Sequence, residues 1–477
     1  MKVLLVALVA GLALVAPPAA AEDPPATAVA QIEGVGFAPD DVGYLVVDLK
    51  TGKTLAEYNA DQPFIPASVA KIPPMAAALE ILGADHRFET TLLVKGDVED
   101  GTLTGTLVLR GGGDPFLSGD ELQLMAKALV EAGISAIDGD FLYDASALIE
   151  APYINPRQPE AAGYNTGVSA LSVNFNRVRL NWEKGSAEPS AGVNAVSEGV
   201  TQPIDAIGLA FAEEAPPGPF IRAHTPVDDL WLLSPELEPR GEDWLPVGNP
   251  SLITAEIFRA FAATEGVELP EPKPGIAPDG ARVVVSHESL PLAEIVRGVM
   301  RYSNNLSAEL VGLAATRAVT DRRRSLQGSA ETITAWWRSR LADADWAGFA
   351  IENHSGLSST SRATPRQIVE ILEDVVGSIG DDDFHGLLPE ISWKGVEGSA
   401  RVKTGTIAYA RGLAGYIDTA RGNRLAFAIF IDDKEKRAAL DAAFDPRVRT
   451  IDPASQPWRR GALSLEQDLT TDWAERF

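Results

Sequence analysis

Alternating apolar and polar positions mark the first unit of the chain. Gly43-Tyr44-Leu45-Val46-Val47-Asp48-Leu49 and Thr54-Leu55-Ala56-Glu57-Tyr58, joined across Lys50-Thr51-Gly52-Lys53, predict a β-hairpin. The dense apolar run from Met75 to Gly83 then predicts a buried helix closed by glycine. From about Arg87 the texture turns to strands: residues 90–95 and 102–110 flank a turn, followed by a helix over 123–131 and a strand at 141–143. Residues 152–159 read as loop and 168–180 as a further strand region. Residues 183–250, rich in Gly, Pro and acidic residues with short apolar runs, predict a small β-rich module. Helical spacing returns over 252–266, 290–302 and 306–319. Thr364 as N-cap and Pro365 at the first helical position open a helix through Val376. Residues 411–418 and 424–432 predict a second hairpin.

A strand pair that feeds a helix suits a sheet flanked by helices. At 477 residues the chain exceeds one ordinary core, and two or three domains are expected. The formal charge of −26 argues against nucleic acid or an anionic membrane surface as partner. The absence of cysteine excludes thiol catalysis, thiolate metal sites and disulfides. Histidines at 86, 224, 287, 354 and 385 show no metal-ligand spacing, so neither a metal nor another cofactor is expected. At the start, Lys2, an apolar run over residues 3–15 and Ala19-Ala20-Ala21 compose a cleavable export signal over residues 1–21. The apolar run is too short to span a bilayer and is broken by Pro17-Pro18, which predicts an exported chain with no transmembrane anchor once mature. The acidic C-terminal residues 463–477 are unlike a basic membrane anchor.

The candidate chemistry begins at Pro66-Ala67-Ser68-Val69-Ala70-Lys71. A Ser and a Lys three residues apart at a helix start share one face, so the amine can reach the hydroxyl and activate it. Alone, this spacing arises by chance and a helical Lys is usually a solvated charge. Two later stretches change that: Tyr302-Ser303-Asn304-Asn305, at a junction of two helices, and Val402-Lys403-Thr404-Gly405-Thr406, on or beside a strand. A run of Gly111-Gly112-Gly113-Asp114-Pro115 lacks the surroundings of a phosphate cradle and reads as a structural turn.

S-x-x-K, S-x-N and K-T-G in this order are the signature of penicillin-interacting serine enzymes. The chain resembles, more closely, the penicillin-binding protein 4 type of D-alanyl-D-alanine carboxypeptidase/endopeptidase, the S13 peptidase family. Further landmarks are Gly113-Asp114-Pro115, Val168-Ser169-Ala170-Leu171-Ser172-Val173-Asn174, Leu306-Ser307-Ala308-Glu309 and Ser355-Gly356-Leu357-Ser358. Roughly 230 residues separate Lys71 from Ser303, far more than one catalytic domain needs, and a long insertion there is typical of the family.

The resemblance implies an α/β, multi-domain protein whose helix–sheet–helix catalytic domain carries two inserted smaller modules. The expected division is 22–86 with 270–477 for the catalytic part, 87–182 with 251–269 for the inserted domain, and 183–250 for the β-rich module nested in it. The implied substrates are peptidoglycan peptides, with β-lactams as ligands, and the implied location is the periplasm. Ser68 is implied as the nucleophile that forms an acyl-enzyme, Lys71 as the base for acylation, and Ser303 as the relay to the leaving amine. Asn305 would hold the substrate amide, and Lys403 and Thr404 its carboxylate. The amides of Ser68 and Thr406 would form an oxyanion hole beside Gly405. A lowered Lys71 pKa, from burial and a nearby Lys403, is expected.

Three departures from the family pattern are visible. Pro73-Pro74 should kink the helix after Lys71. Asn353-His354 stands where the family has Asp-Gly, which predicts a loop histidine near the site, and residues 388–401 are fewer than usual. Residues that read the third position of the stem peptide are expected in the inserted domain near Asp144. Alternative readings are a serine β-lactamase or D-amino-acid esterase on the same scaffold, or a catalytically silent penicillin-binding-like scaffold. No E-x-x-L-N deacylation stretch supports the first, and the retention of Ser68, Lys71, Ser303, Asn305 and Lys403 opposes the second.

Overall fold

The hairpin near the start is completed by the far end of the chain. In the computed structural model, which describes residues 26–185, 189–223, 230–378, 381–448 and 452–477, Val42–Asp48 pairs antiparallel with both Lys53–Tyr58 and Arg424–Asp432. The leader read over residues 1–21, and His224, lie outside the described residues. The resulting six-stranded sheet runs in the order Glu390–Ile391, Gly398–Ile407, Ala410–Thr419, Arg424–Asp432, Val42–Asp48, Lys53–Tyr58. Its central strands are apolar at nearly every position because both faces are covered. Leu45, Val47, Ala414, Tyr416, Ala428 and Phe430 face a core with the helices Ile72–Leu82, Leu292–Tyr302, Asn305–Thr320, Leu326–Arg340 and Pro365–Ser378. The alternate residues Tyr44, Val46, Leu413, Phe427 and Ile429 face the Ser455–Arg476 helix, which buries Leu465, Leu469 and Trp473. This is the helix–sheet–helix layering expected. Among the described residues no helix is long and apolar enough to cross a membrane.

Pro73 and Pro74 kink nothing. Ala67–Lys71 forms a 3-10 turn, and the α-helix begins only at Ile72, so both prolines fall in its first turn. There an amide hydrogen has no intrahelical acceptor to lose. The Pro73 carbonyl instead accepts Trp337 Nε1 at 2.9 Å and ties this helix to the next layer. Thr364 and Gln367 cap the Pro365–Ser378 helix reciprocally, each side chain accepting the other's amide.

The insertion is built on a five-stranded sheet ordered Pro272–Pro274, Ala136–Asp144, Thr102–Gly111, Glu89–Glu99, Arg282–Glu288, packed on the helices Gly119–Glu131 and Pro250–Thr264. Two of its strands thus come from residues after 270, in the stretch assigned to the catalytic part. A four-stranded sheet beyond it starts at Arg177–Glu183, paired with Ser190–Ser197 and Arg240–Pro246. One apolar core, including Phe141, Trp182, Trp231 and Phe258, runs through both inserted parts. The strand expected over 168–180 is shorter than that. Asn174, Phe175 and Asn176 all adopt left-handed φ (51°, 56°, 53°), which forms a turn, and the strand begins only at Arg177. The insertion meets the catalytic part through Leu148, Ile154 and Val168, packed on Leu306, Leu310 and Leu313 of the Asn305–Thr320 helix.

His354 stands on a turn, as expected, but its ring is buried in the core. Its ring packs against Gly312, where an added Cβ would lie 2.3 Å from the imidazole carbons, and its Nε2 is 2.7 Å from Ser329 Oγ. Burial pushes its pKa down to about 3, so the ring is neutral. Gly312 and His354 are therefore a matched small–large pair. Gly312→Ala should destabilise the protein by about 1–3 kcal/mol through overpacking, read from the shift of a denaturant unfolding midpoint.

Candidate active site

Ser68 stands on the 3-10 turn, and three neighbours fix that turn. Ala67 holds a left-handed φ of 45°, uncommon for a residue with a Cβ. Gly356 abuts it: a Cβ there would lie 1.9 Å from the Ala67 carbonyl oxygen. Gly405 approaches from the Gly398–Ile407 strand, and a Cβ would come within 2.7 Å of the Pro66 oxygen and 2.8 Å of the Ser68 amide nitrogen. The glycine of Lys-Thr-Gly is thus required by the contact of a strand with the backbone of the Ser68 turn.

Lys71 is wholly buried, and its Nζ donates to Ser68 Oγ at 3.0 Å, Asn305 Oδ1 at 2.8 Å and the Ser355 carbonyl at 2.6 Å. Burial, then the charge of Lys403, hold its pKa well below the ordinary lysine value, while Glu309 acts in the opposite direction. A desolvated amine beside a serine hydroxyl has what a general base needs.

Ser303 and Asn305 owe their positions to a sharp helix junction. Ser303 is left-handed (φ 55°) after Leu292–Tyr302, and Asn304 caps the next helix by accepting the Ser307 amide at 2.9 Å. Lys403 Nζ donates to Ser303 Oγ at 2.9 Å and to the Thr404 carbonyl at 2.7 Å. Burial brings the Lys403 pKa down to about 7. Along the strand Lys403 and Gly405 point inward, whereas Thr404 is exposed. Thr406 Oγ1, on the cleft rim, accepts Arg411, which is itself paired at 2.6 Å with buried Glu466.

These groups open into a cleft of about 680 Å³ lined by Ser68, Ser303, Asn305 and Thr406. The inserted domain supplies Tyr164 to one wall, and the C-terminal segment supplies Tyr409 and Trp458 to another. The outer edge of the Lys403 strand is paired with the 389–391 segment only over residues 400–402, Val402 donating its amide to the Pro389 carbonyl at 2.9 Å.

A model of the D-Ala-D-Ala carboxypeptidase 3 (S13) family matches residues 35–450. The chain belongs to the S13 family. The D-alanyl-D-alanine carboxypeptidase of Actinomadura sp. (strain R39) is 27% identical to this S13 chain, over 91% of it and 86% of the relative. D-alanyl-D-alanine carboxypeptidase DacB of Haemophilus influenzae is 24% identical over 84% and 88%. The crystal structure of penicillin binding protein 4 from H. influenzae shares the fold, with a TM-score of 0.73 at 21% identity, covering 91% of this chain and 96% of that one. A predatory endopeptidase of Bdellovibrio bacteriovorus, in complex with an immunity protein, gives a TM-score of 0.51 at 14% identity, covering 91% and 94%.

Seven of the eight residues singled out in the S13 motifs meet within this site, with Thr404 contributing its carbonyl to Lys403 and its side chain to solvent. Asp144 does not join them. It is buried in the inserted domain, its oxygens taken by the amides of Ser146 and Ala277 at 2.9 Å, and it lines a different cavity. Motif reading passed over Glu309, although it stands in the quoted Leu306–Glu309 string. Fully buried, it accepts the amides of His354 at 3.0 Å and Ser355 at 2.8 Å. It thereby holds the turn just before the Ser355 carbonyl that receives Lys71. Burial raises its pKa, opposed by those two amide bonds and by Lys71. A lone charge inside the apolar run Leu306 to Leu313 was the available signal.

Glu309→Gln replaces one acceptor by a donor facing an amide. Acylation should slow at least about tenfold, with about 1–3 kcal/mol of stability lost, measured by β-lactam trapping kinetics and denaturant unfolding. The Lys403 shift gives a second test. The unfolded chain keeps this proton up to about pH 10.4, whereas the folded site releases it near 7. Between these values the unfolded state binds more protons, so this group's destabilising effect is complete below pH 7 and fades as pH rises. Lys403→Met should be more stable than the wild type below pH 7, with the difference in unfolding free energy shrinking toward pH 10.

Proposed function

We propose that the chain is an exported, periplasmic serine hydrolase of peptidoglycan, a D-Ala-D-Ala carboxypeptidase, a D,D-endopeptidase or both, penicillin-binding and dependent on Ser68. The observation that carries this reading is the 3.0 Å contact between Ser68 Oγ and the Nζ of a fully desolvated Lys71. Neutral Lys71 takes the hydroxyl proton as Ser68 Oγ bonds to the penultimate D-Ala carbonyl carbon, and the amides of Ser68 and Thr406 receive the developing oxyanion. As the amide bond breaks, Ser303, hydrogen-bonded to Lys403, relays that proton from Lys71 to the departing amine, which leaves Lys71 neutral and Ser303 unchanged. Asn305 holds the substrate amide, and Lys403 attracts the terminal carboxylate. Water then cleaves the ester and regenerates the hydroxyl. The strand edge left open beyond residue 402 suits an extended peptide laid alongside it. The relatives named as D-alanyl-D-alanine carboxypeptidases support the substrate class, and the leader over residues 1–21 supports export.

The test is the intact mass of the mature protein after incubation with benzylpenicillin. A stable adduct of one penicillin, absent in Ser68→Ala, is the expected result. Rapid consumption of the drug without an adduct would move the reading to a β-lactamase, and no reaction at all to a silent scaffold.

A further inference from the structure

We propose that the polar cavity between the inserted five-stranded sheet and the far end of the Asn305–Thr320 helix is a second, non-catalytic binding site for the zwitterionic end of a peptide. The cavity holds about 410 Å³, within the range of ligand pockets. Its lining includes Glu89, Thr91, Arg110, Asp144, Ser146 and Arg317. Arg317 lies twelve residues beyond Asn305 on the same helix, about 18 Å along its axis, so this is a separate place from the Ser68 cleft.

The sheet register builds the site. Thr91 stands opposite Arg110, and Arg110 opposite Asp144, so the three side chains form a row across adjacent strands on one face. Arg317 reaches the same cavity from the catalytic part, donating to the Ala147 carbonyl with one of its five N–H groups. Asp144, the nearest anion in the row, spends its oxygens on the amides of Ser146 and Ala277. Among the described residues Arg110 has no ion pair. Thr91 is 2% exposed and its hydroxyl has no hydrogen-bond partner. A buried hydroxyl without a partner costs free energy, and a ligand with polar groups would meet that need.

The charges define the class of ligand. Two guanidinium groups and two carboxylates line one cavity, in a chain whose formal charge is −26. Such balance does not attract polyanions in general; it suits a molecule that carries a carboxylate for Arg110 and Arg317 and an amine for Glu89. The arginine fork favours a carboxylate over a neutral hydroxyl. Resting on the function proposed above, the source is the stem peptide of peptidoglycan or the free amino acid that the reaction releases.

The experiment titrates the benzylpenicillin-acylated protein, whose cleft is blocked, by calorimetry. The probes are the tripeptide L-Ala-γ-D-Glu-meso-diaminopimelate, D-alanine and neutral N-acetylglucosamine. Saturable binding of the tripeptide is expected, at least about tenfold weaker in Arg110→Ala and in Arg317→Ala, with acylation rates of both variants unchanged as proof of folding. Binding of D-alanine in place of the tripeptide would assign the site to the released amino acid. No saturable binding, binding indifferent to both substitutions, or binding of the neutral sugar alone would overturn the proposal. Failure of the acylation step would count against the Ser68 chemistry instead, and the titration would then be read from the Arg110→Ala difference in unmodified protein.

Discussion

The desolvation of one primary amine organises the catalytic half of this protein. An ammonium taken out of water loses several kcal/mol of hydration, so it must either shed its proton or be surrounded by acceptors. Lys71 is given both solutions. Ser68, Asn305 and the Ser355 carbonyl converge on its nitrogen, and burial with a second buried amine at Lys403 lowers its proton affinity. Each acceptor comes from a different part of the chain, and each is itself held by a neighbour. Glu309 fixes the Ser355 peptide, the insertion reaches Asn305 through the Tyr164 carbonyl, and Gly405 and Gly356 clamp the Ser68 turn. Preorganisation of this kind places dipoles before the substrate arrives and leaves little to reorganise during reaction.

The inserted domain is therefore more than an appendage. The Asn305 amide nitrogen donates to the Tyr164 carbonyl at 3.0 Å, and Ser307 Oγ to the Pro115 carbonyl at 3.3 Å. Both inserted loops grip the first turn of the helix that presents Asn305. The Gly113-Asp114-Pro115 turn earns its place in the sequence by this contact, with Gly113 at φ 96° and its amide bonded to Ala170.

What the sequence made legible follows from how local the cause was. Ser68, Lys71, Ser303 and Lys403 were legible because the chemistry demands particular side chains at short spacings, and the two hairpins because alternation is a property of neighbours. Pro73 and Pro74 misled because proline is harmful or harmless according to where the helix starts, and the 3-10 turn moved that start to Ile72. The run at 168–180 is apolar enough for a strand, yet the conformation of Asn174-Phe175-Asn176 is set by side-chain bonds, such as Asn176 to the Gly167 carbonyl, that hydrophobicity does not register. The burial of the His354 ring was not legible because the glycine that receives it lies on the Asn305–Thr320 helix, distant in sequence. The surroundings of Asp144 were not legible because the strand register that turns it toward another cavity is set by pairing with distant residues.

The wall that Gly405 adds to the Ser68 turn has a temporal meaning. The strand Gly398–Ile407 emerges from the ribosome in the last fifth or so of the chain, and long-range pairing of this kind is completed late in folding. Until it docks, the Ser68 turn lacks the wall that Gly405 gives it, and Lys71 lacks the buried Lys403 that helps to lower its basicity. A nascent chain is thus without the finished site. Reactivity appears only with the finished tertiary structure and disappears with local unfolding, so a damaged molecule becomes inert rather than an unregulated hydrolase.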